Sequence, residues 1–394
     1  VALFQAMAHV VVKEGLYDEE FIAQRTEGFQ EYIESLESFT PEWAEKVSGV
    51  PAEKISEAAR LYATADRAAI YCGMGISQST HGTDNTISLT NLALMCGHVG
   101  KPGTGLNPLR GQNNVQGCSD SGGLPNVYTA YQLVNAPAVK EKFESVWGTA
   151  LNDRPGLTAT EMIDGALTGV VRGLFVVGEN PMLSEPNQNH TRKALEQAEF
   201  LVCQDIFINE TGEMADVILP ATSFAEKDGT FSNTERRVQR VRKAVDPPGE
   251  AKDDWWIISE IATRMGYEQK YASSEEIFNE LASVTPSYGG ITYARIEDVG
   301  LHWPCPNADH PGTPVLHKEQ FTAGKGTFHA IDYIPPAEQV DDEFPMYLTT
   351  GRLLYHYHTG TMTMRTEGLN EIAPECFVEM SREDAGKYEL SDGA

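Results

Sequence analysis

The spacing of apolar residues along the chain predicts helices that alternate with short buried strands. A helical period runs through residues 2–16, through residues 40–65 as two helices, and through residues 85–96. Thr40, which is followed by a proline, has the position of a helix N-cap. An apolar run over residues 68–72 leads into a glycine turn and then a helix, an order typical of ligand-binding α/β domains. The pattern therefore predicts an α/β fold.

Three apolar stretches in the middle of the chain predict a parallel sheet. They cover residues 174–177, 201–203 and 217–219, and in a parallel sheet their carboxyl ends meet at one edge. The residues that follow them include Gly178, Glu179, Asn180, Gln204, Asp205 and Thr222. Carboxylates and amides at such an edge suit a guanine, whereas phosphates would call for Lys, Arg or a helix N-terminus. Turn or helix capping is the alternative role for Asp205.

Residues 108–125, PLRGQNNVQGCSDSGGLP, form a segment that fits neither a helical nor a strand period; we call it the central loop. Its glycines permit positive φ and a close approach of the backbone to a ligand. Arg110 offers a planar fork of donors suited to a carboxylate or a phosphate. Gln112 and the neighbouring amides supply donors and acceptors for a large heterocycle. The alternative is a polar surface loop.

The second half of the chain predicts a hairpin, a helix and the opening of a further domain. Residues 226–253 carry a cluster of arginines and predict a hairpin-like insert, and residues 254–267 predict a helix. Residues 346–350 predict a strand, after which His356 and His358 alternate on one face. A metal site at these histidines is an alternative, but no third ligand lies nearby in the sequence.

Composition and charge narrow the range of partners. The chain has 394 residues, 41% of them hydrophobic, and a net charge of −27. Such an acidic surface argues against nucleic acid and anionic membranes as partners, and the apolar runs are too short for direct membrane insertion. The six cysteines are scattered without a C-x-x-C pair, so the sequence shows neither a zinc knuckle nor an iron–sulfur site.

The central loop also carries a resemblance to a known family. LRGQNNVQG, followed by GGLPNVY, closely resembles the molybdopterin oxidoreductases, and within them the catalytic subunit of formate dehydrogenase. VVGENP, QDIF, ADVILPATSF and HTGTMT resemble further segments of the same family, in the same order. The likeness therefore covers most of the chain.

The resemblance implies a multi-domain architecture. It implies parallel-sheet, dinucleotide-binding-like domains around a pterin cofactor, followed by the start of a β-barrel-like domain. The boundaries that it implies are 1–112 for a first α/β domain, 113–225 and 254–276 for a second that binds the pterin guanine dinucleotide, 226–253 and 277–338 for segments that pack with an iron–sulfur domain, and 339–394 for the barrel-like domain.

The resemblance also implies roles for individual residues. The arginine that matches Arg110 lies beside the ligand residue of the metal, which makes Arg110 the catalytic candidate. The residues that it places at the cofactor are Gln78, Gly111, Gln112, Gly178, Glu179, Asn180, Ser184, Gln204, Asp205, Thr222, Asp254, Arg352, His356, His358 and Thr359. Some relatives have Asp where Asn180 stands and Ser where Ala221 stands. Unlike Asp, Asn180 can hydrogen-bond to the cofactor but carries no charge. Unlike Ser, Ala221 can contact the cofactor only through its backbone.

The reaction implied by the resemblance is the oxidation of formate to carbon dioxide. It takes place at molybdenum or tungsten held by bis-molybdopterin guanine dinucleotide, and electrons pass to a 4Fe-4S cluster whose ligands lie outside this chain. The chain is interpreted as an internal portion of the catalytic subunit, because the metal-ligating Cys or selenocysteine belongs to an upstream segment. We expect this portion alone to be inactive and the complete protein to work with iron–sulfur electron-transfer subunits. A cytoplasmic location is favoured over a periplasmic one.

Two alternatives remain open. One is a nitrate reductase of the same superfamily, although an arginine in LRGQNNVQG suits the carboxylate of formate. The other is a non-catalytic, pterin-free scaffold subunit of a respiratory complex. The many polar residues at the strand ends argue against the scaffold, because an empty site would leave buried amides and carboxylates unpaired.

Overall fold

The computed structural model describes residues 1–393, and these fall into two compact units. The first unit consists of Val1–Gly156, Lys227–Lys243 and Lys270–Pro345. The second consists of Leu157–Glu226, Ala244–Gln269 and the segment from Met346 to the last described residue. The first segment of the first unit ends at Gly156, and the domain boundaries implied by the resemblance stay a prediction.

The first unit is mainly helical. Its helices are Ala2–Lys13, Glu19–Arg25, Phe29–Ser35, Pro41–Ser48, Ala52–Thr64, Met74–Ser77, Gly82–Met95, Val115–Asp120, Pro137–Trp147 and Ser274–Val284. The Thr40 side chain accepts a hydrogen bond from the Trp43 backbone N–H, which confirms the predicted N-cap. Ala6, Val10 and Val11 of helix Ala2–Lys13 are buried in an apolar core together with residues of the neighbouring helices.

The strands of the first unit are short and belong to small sheets. They are Thr26–Glu27, Ala69–Cys72, Gly105–Pro108, Val127–Tyr128, Gln132–Leu133, Gly229–Ser232, Arg237–Val241, Leu301–His302 and Gly326–Thr327. Ala69–Cys72 pairs in parallel with Gly105–Pro108, so Cys72 lies opposite Pro108 where the central loop begins. The polypeptide therefore delivers Arg110 to the carboxyl end of a parallel strand pair.

The basic insert forms the predicted hairpin. Gly229–Ser232 and Arg237–Val241 pair antiparallel, with Val238 opposite Ser232. The guanidinium of Arg240 lies 3.8 Å from the centroid of the Tyr293 ring, so an arginine of this strand helps to hold the unit together.

The second unit contains the predicted parallel sheet. Gly173–Val177, Phe200–Asp205 and Val217–Pro220 lie in that order and pair in parallel, which confirms the prediction. The helices of this unit are Ala159–Thr168, Pro181–Ser184, Gln188–Gln197, Asp254–Arg264, Glu367–Ile372 and Arg382–Lys387. Ile163, Ala194 and Leu201 belong to the apolar core formed with the sheet.

Two predictions of local structure were wrong. The central loop contains the helix Val115–Asp120, although no helical period marks it. Residues 346–350 are not a strand, and no closed barrel is found within the described part of the chain. A strand needs a neighbour for its backbone N–H and C=O groups, and Tyr347 and Leu348, at 68% and 85% exposure, have no paired strand beside them.

Candidate functional site

The turn after the first strand of the parallel sheet brings a carboxylate to the sheet edge. Gly178 has φ 63° and donates its backbone N–H to the Gln204 carbonyl oxygen over 2.8 Å, while a side chain at its position would point into open space. Burial, and then the carboxylates of Asp205 and Glu185, raise the pKa of Glu179. The Glu179 carboxylate therefore lacks the donors that would stabilise its charge.

Gln204, at the end of the second strand, has an unsatisfied acceptor. The residue is fully buried, and its Nε2 donates to Oδ1 of Asp254 over 2.7 Å. Its Oε1 is buried and has no hydrogen-bond partner among the described residues. An amide oxygen in this position calls for a donor.

Asp205 combines a capping role with spare acceptor capacity. Its Oδ1 accepts from the Ile206 backbone N–H over 2.6 Å, and its Oδ2 accepts from Nδ2 of Asn209 over 2.9 Å. Burial is the main cause that raises its pKa, the charge of Asp254 adds to it, and the hydrogen bonds oppose it. The Phe207 backbone N–H also contributes a hydrogen bond to this carboxylate. The turn role is thus present, and the carboxylate retains capacity for about one further donor.

Asn180 holds neighbouring loops together rather than facing an open space. Its Oδ1 accepts from the Thr211 hydroxyl over 2.8 Å, and its Nδ2 donates to Oε2 of Glu210 over 2.7 Å and to Oγ1 of Thr361 over 3.1 Å. The side chain is buried. Both ends of the amide are therefore committed within the unit.

Ser184, Thr222 and Asp254 also belong to the second unit. Ser184 ends the short helix Pro181–Ser184 and is exposed. Thr222 is buried after the third strand and donates to Oδ1 of Asp253 over 3.2 Å. Asp254 begins helix Asp254–Arg264 and is half-buried.

The four predicted residues near the end of the second unit differ in surroundings. His356 is half-buried, and its ring nitrogens pair with Oγ1 of Thr363 at 3.2 Å and with the Ala373 carbonyl oxygen at 2.6 Å. Arg352, His358 and Thr359 are exposed. The His356 ring thus holds a turn and a helix end, whereas the other three side chains face outward.

The remaining predicted residues lie in the first unit. Gln78 follows helix Met74–Ser77 as its C-cap, and its side chain is exposed. Gly111 is half-buried, and Arg110 and Gln112 are exposed in the central loop. The backbone N–H of Arg110 donates to Oγ1 of Thr234 in the turn of the hairpin over 3.3 Å.

The Arg110 side chain is held at one of its nitrogens. Nε donates to Oε1 of Gln116 over 3.0 Å. Among the described residues, none accepts from Nη1 or Nη2 or forms an ion pair with them. The positive charge of Arg110 also opposes the effect of burial, which raises the pKa of Cys72 at the strand end. The guanidinium therefore presents two donor nitrogens for a planar anion.

Behind Gln116 lies a buried group that sequence reasoning missed. We call Gln116, Asp120, Tyr131, Tyr288 and Trp303 the Asp120 cluster. The Asp120 carboxylate, 2% exposed, accepts from Gln116 Nε2 at 2.7 Å, Tyr131 OH at 3.0 Å, Tyr288 OH at 2.9 Å and Trp303 Nε1 at 2.7 Å. The only sequence signal was the i, i+4 spacing of Gln116 and Asp120, which becomes informative once the segment is known to be helical.

A cavity of about 290 Å³ adjoins the Asp120 cluster. It is lined by Asp120, Ala130, Tyr131, Gln132, Pro286, Ser287, Tyr288 and Trp303. Arg110 is not among these residues.

Metal-ligand clusters and membrane-spanning helices are two further features that can be examined in the described residues. Within residues 1–393, no group of three or more His, Cys, Asp or Glu side chains is placed to hold a metal ion. None of the described helices combines the length and the apolar character needed to cross a bilayer.

Comparison with known proteins gives consistent matches. Residues 1–264 match the family model described as molybdopterin oxidoreductase, and residues 346–394 match that described as molydopterin dinucleotide binding domain. The F420-dependent formate dehydrogenase subunit alpha of Methanocaldococcus jannaschii is 50% identical over 397 residues, which cover 100% of this chain and 58% of that protein. Formate dehydrogenase H of Escherichia coli is 43% identical, over 100% of this chain and 56% of that protein.

A solved structure shares the fold. Acetylene hydratase from Pelobacter acetylenicus superposes with a TM-score of 0.73 at 20% identity, over 100% of this chain and 58% of that structure. The chain thus spans little more than half the length of the relatives that it matches.

Proposed function

This chain belongs to the molybdopterin oxidoreductase family, and on that basis we propose that the complete protein is the catalytic subunit of a formate dehydrogenase. The observation that carries the proposal is the Arg110 guanidinium, held at Nε with Nη1 and Nη2 directed to no described partner. Identities of 50% and 43% to proteins named as formate dehydrogenases support it.

The strand ends of the second unit fit the guanine part of a pterin dinucleotide. A guanine edge presents N1–H and N2–H₂ donors. Gln204 Oε1 is a buried acceptor without a donor among the described residues, and burial is the main cause that raises the pKa values of Glu179 and Asp205. We propose that Gln204, Asp205 and Glu179 accept from this edge and that Asp254 holds Gln204 in place.

Other predicted residues take supporting roles in this proposal. Asn180 fixes the loops around the turn and keeps Thr211 and Glu210 in position. Thr222 fixes the end of the third strand through Asp253. Gly178, Ser184, Arg352, His358 and Thr359 are exposed. Gly111 and Gln112 directly follow Arg110 in the sequence, and Gln78 is exposed after helix Met74–Ser77 of the same unit.

Formate binding is assigned to Arg110. Formate has two oxygens and one hydrogen, so its binding free energy comes almost entirely from contacts to the two oxygens. A guanidinium meets both oxygens in one plane and leaves the C–H bond directed away from itself. The pterin-held molybdenum or tungsten, when bound, supplies the acceptor for the two electrons that leave as formate becomes carbon dioxide and a proton. Arg110 fixes the direction in which that C–H bond points.

Electron transfer requires partners beyond this chain. We propose a 4Fe-4S cluster on segments outside this sequence and further electron-transfer subunits, because similar proteins are named alpha subunits. We also propose that the complete protein and these subunits are located in the cytoplasm.

Purified complete protein provides the test. We expect molybdenum or tungsten and guanine-containing pterin at one metal per chain, formate-dependent reduction of an artificial electron acceptor, and no nitrate-dependent oxidation of a reduced dye. Nitrate turnover without formate turnover would favour a nitrate reductase. A folded protein without metal or pterin would favour the scaffold subunit.

A further inference from the structure

We propose that Gln116 and Asp120 are positioning residues that fix the Arg110 guanidinium for substrate binding. The inference rests on the proposed role of Arg110 and extends it to the buried Asp120 carboxylate behind Gln116. The juxtaposition that carries it is a chain of three side chains, from Arg110 Nε to Gln116 and from Gln116 to Asp120.

The first step is the contact at Arg110. An exposed arginine ordinarily samples many rotamers, and fixing it costs free energy. The hydrogen bond from Nε to Oε1 of Gln116, at 3.0 Å, holds the plane of the guanidinium at its inner nitrogen. The two terminal nitrogens keep their donors, so the fork is fixed without being used up.

The second step is the orientation of the Gln116 amide. Gln116 is 5% exposed, and its Nε2 donates to Asp120 Oδ1 at 2.7 Å and to Tyr131 OH at 3.2 Å. A carboxylate only accepts, and Arg110 Nε only donates. The reversed amide would place its oxygen against the carboxylate and its NH₂ against the Arg110 N–H. Both neighbours therefore impose the same orientation.

The third step is the rigidity of Asp120. Its four donors come from helix Val115–Asp120, from Tyr131 and, 168 and 183 residues away in the sequence, from Tyr288 and Trp303. The donors satisfy both oxygens, which offsets the cost of burying a carboxylate. The guanidinium carbon of Arg236 lies 5.4 Å from the centroid of the Trp303 ring, and its positive charge attracts the Asp120 carboxylate.

The consequence is a fixed acceptor for Arg110 that is set by distant segments of the unit. Gln116 transmits the position of Asp120 to the guanidinium without touching formate. The orientation of the guanidinium decides whether it can hydrogen-bond to both formate oxygens at once. Loss of the hydrogen bond from Gln116 to Arg110 therefore weakens formate binding more than it lowers the stability of the fold.

Gln116→Leu in the complete, cofactor-loaded enzyme tests the proposal. It keeps a side chain of similar volume and removes all three hydrogen bonds of the Gln116 amide. We expect kcat/KM for formate to fall about 5- to 50-fold, mainly through KM, with metal and pterin content unchanged. The Kd of formate for the fully reduced enzyme, which binds but cannot oxidise it, should rise by a similar factor.

A double-mutant cycle separates positioning from general destabilisation. If Gln116 acts through Arg110, adding Gln116→Leu to Arg110→Lys should change kcat/KM by less than about twofold, since lysine has no Nε–H donor at that position. Multiplying effects in the double variant, or a Gln116→Leu enzyme with unchanged KM and Kd, would overturn the proposal. Normal formate kinetics in Arg110→Lys alone would instead overturn the substrate role of Arg110.

Two further variants complete the design. Asp120→Asn replaces one of the two acceptor oxygens by a donor, so two of the four donors lose their acceptor and the orientation of Gln116 is no longer imposed by a carboxylate. We expect a rise in KM and in the Kd of formate in the same direction. Gln132→Leu is the matched control: Gln132 is half-buried in the same unit, donates to the carbonyl oxygens of Thr129 and Val284, and has no contact with Arg110. It should lower the Tm while leaving the formate KM unchanged; an equal rise in KM would contradict a specific role for Gln116.

Discussion

At the scale of single residues, the second unit contains carboxyl groups with opposite electrostatic surroundings. Burial and neighbouring carboxylates raise the pKa of Glu179, whereas hydrogen bonds from its own backbone N–H and from Asn180 lower the pKa of Glu210. Glu179, a proposed acceptor for the guanine, and Glu210, which pairs with Asn180, thus differ in the direction of their pKa shifts. The two pKa values shift in opposite directions because hydrogen-bond donors stabilise the ionised form of Glu210, whereas burial and neighbouring negative charges destabilise that of Glu179.

The pH dependence of stability reveals this difference. In cofactor-free complete protein, Glu179→Gln should raise the Tm at neutral pH, because its ionised form is penalised in the folded state. The gain should fade as the pH falls through the raised folded-state pKa and vanish below the ordinary carboxyl value of 4.5, where Glu179 is protonated in both states.

Glu210→Gln is the control of opposite sign. Its ionised form is favoured in the folded state, so the variant should have a lower Tm at neutral pH, and the loss should shrink as the pH falls below 4.5. Thermal unfolding from roughly pH 3 to pH 8 measures both, because this range spans the titration of carboxyl groups. The same sign for both variants would contradict the assignment.

The proposed guanine site yields a second prediction at this scale. Asp205→Ala should lower pterin content in the purified complete protein, by a loss of about 1.5–3 kcal/mol in binding free energy, while the parallel sheet stays folded. Asp216→Ala is the control, since Asp216 accepts from the Leu201 N–H at the opposite end of the strand. Full pterin occupancy in Asp205→Ala would remove Asp205 from the site.

At the scale of elements, local patterns predicted what depends on neighbours in sequence. Thr40 caps its helix, and the three central strands pair in parallel as their apolar runs indicated. The helix Val115–Asp120 escaped prediction because it is short and its apolar residues are few; contacts to the hairpin sustain it. Asn114 Oδ1 accepts from the Ser232 N–H at 2.9 Å across 118 residues of sequence.

That contact between the central loop and the hairpin can be broken selectively. A Cβ at Gly117 would overlap the Asn114 side-chain oxygen and lie 3.2 Å from the Ser232 backbone nitrogen. Gly117→Ala should therefore destabilise the complete protein by about 1–3 kcal/mol in denaturant unfolding. Gly229→Ala, whose Cβ would meet nothing within 4 Å, is the control and should change the unfolding free energy much less. Equal effects would contradict the docking of the loop on the hairpin.

At the scale of the whole molecule, sequence identified the family motifs but not the support behind them. LRGQNNVQG indicated Arg110 as the catalytic candidate, whereas Asp120 gains its partners Tyr288 and Trp303 only by folding. His356 and Asn180 were predicted to contact the cofactor, and their side chains also hold the fold. Motifs carry chemistry that local sequence encodes, while hydrogen bonds between distant segments cannot be read from spacing.

The most direct test of the account is the formate kinetics of Arg110→Lys in the complete protein, with metal and pterin measured on the same preparation. Lysine keeps the charge and loses the fork. We expect Arg110→Lys to keep its full content of metal and pterin and to show a fall of roughly ten- to a hundredfold in kcat/KM for formate. Near-normal kcat/KM with the cofactor intact would contradict it, and parallel loss of pterin and activity would assign Arg110 to holding the cofactor instead.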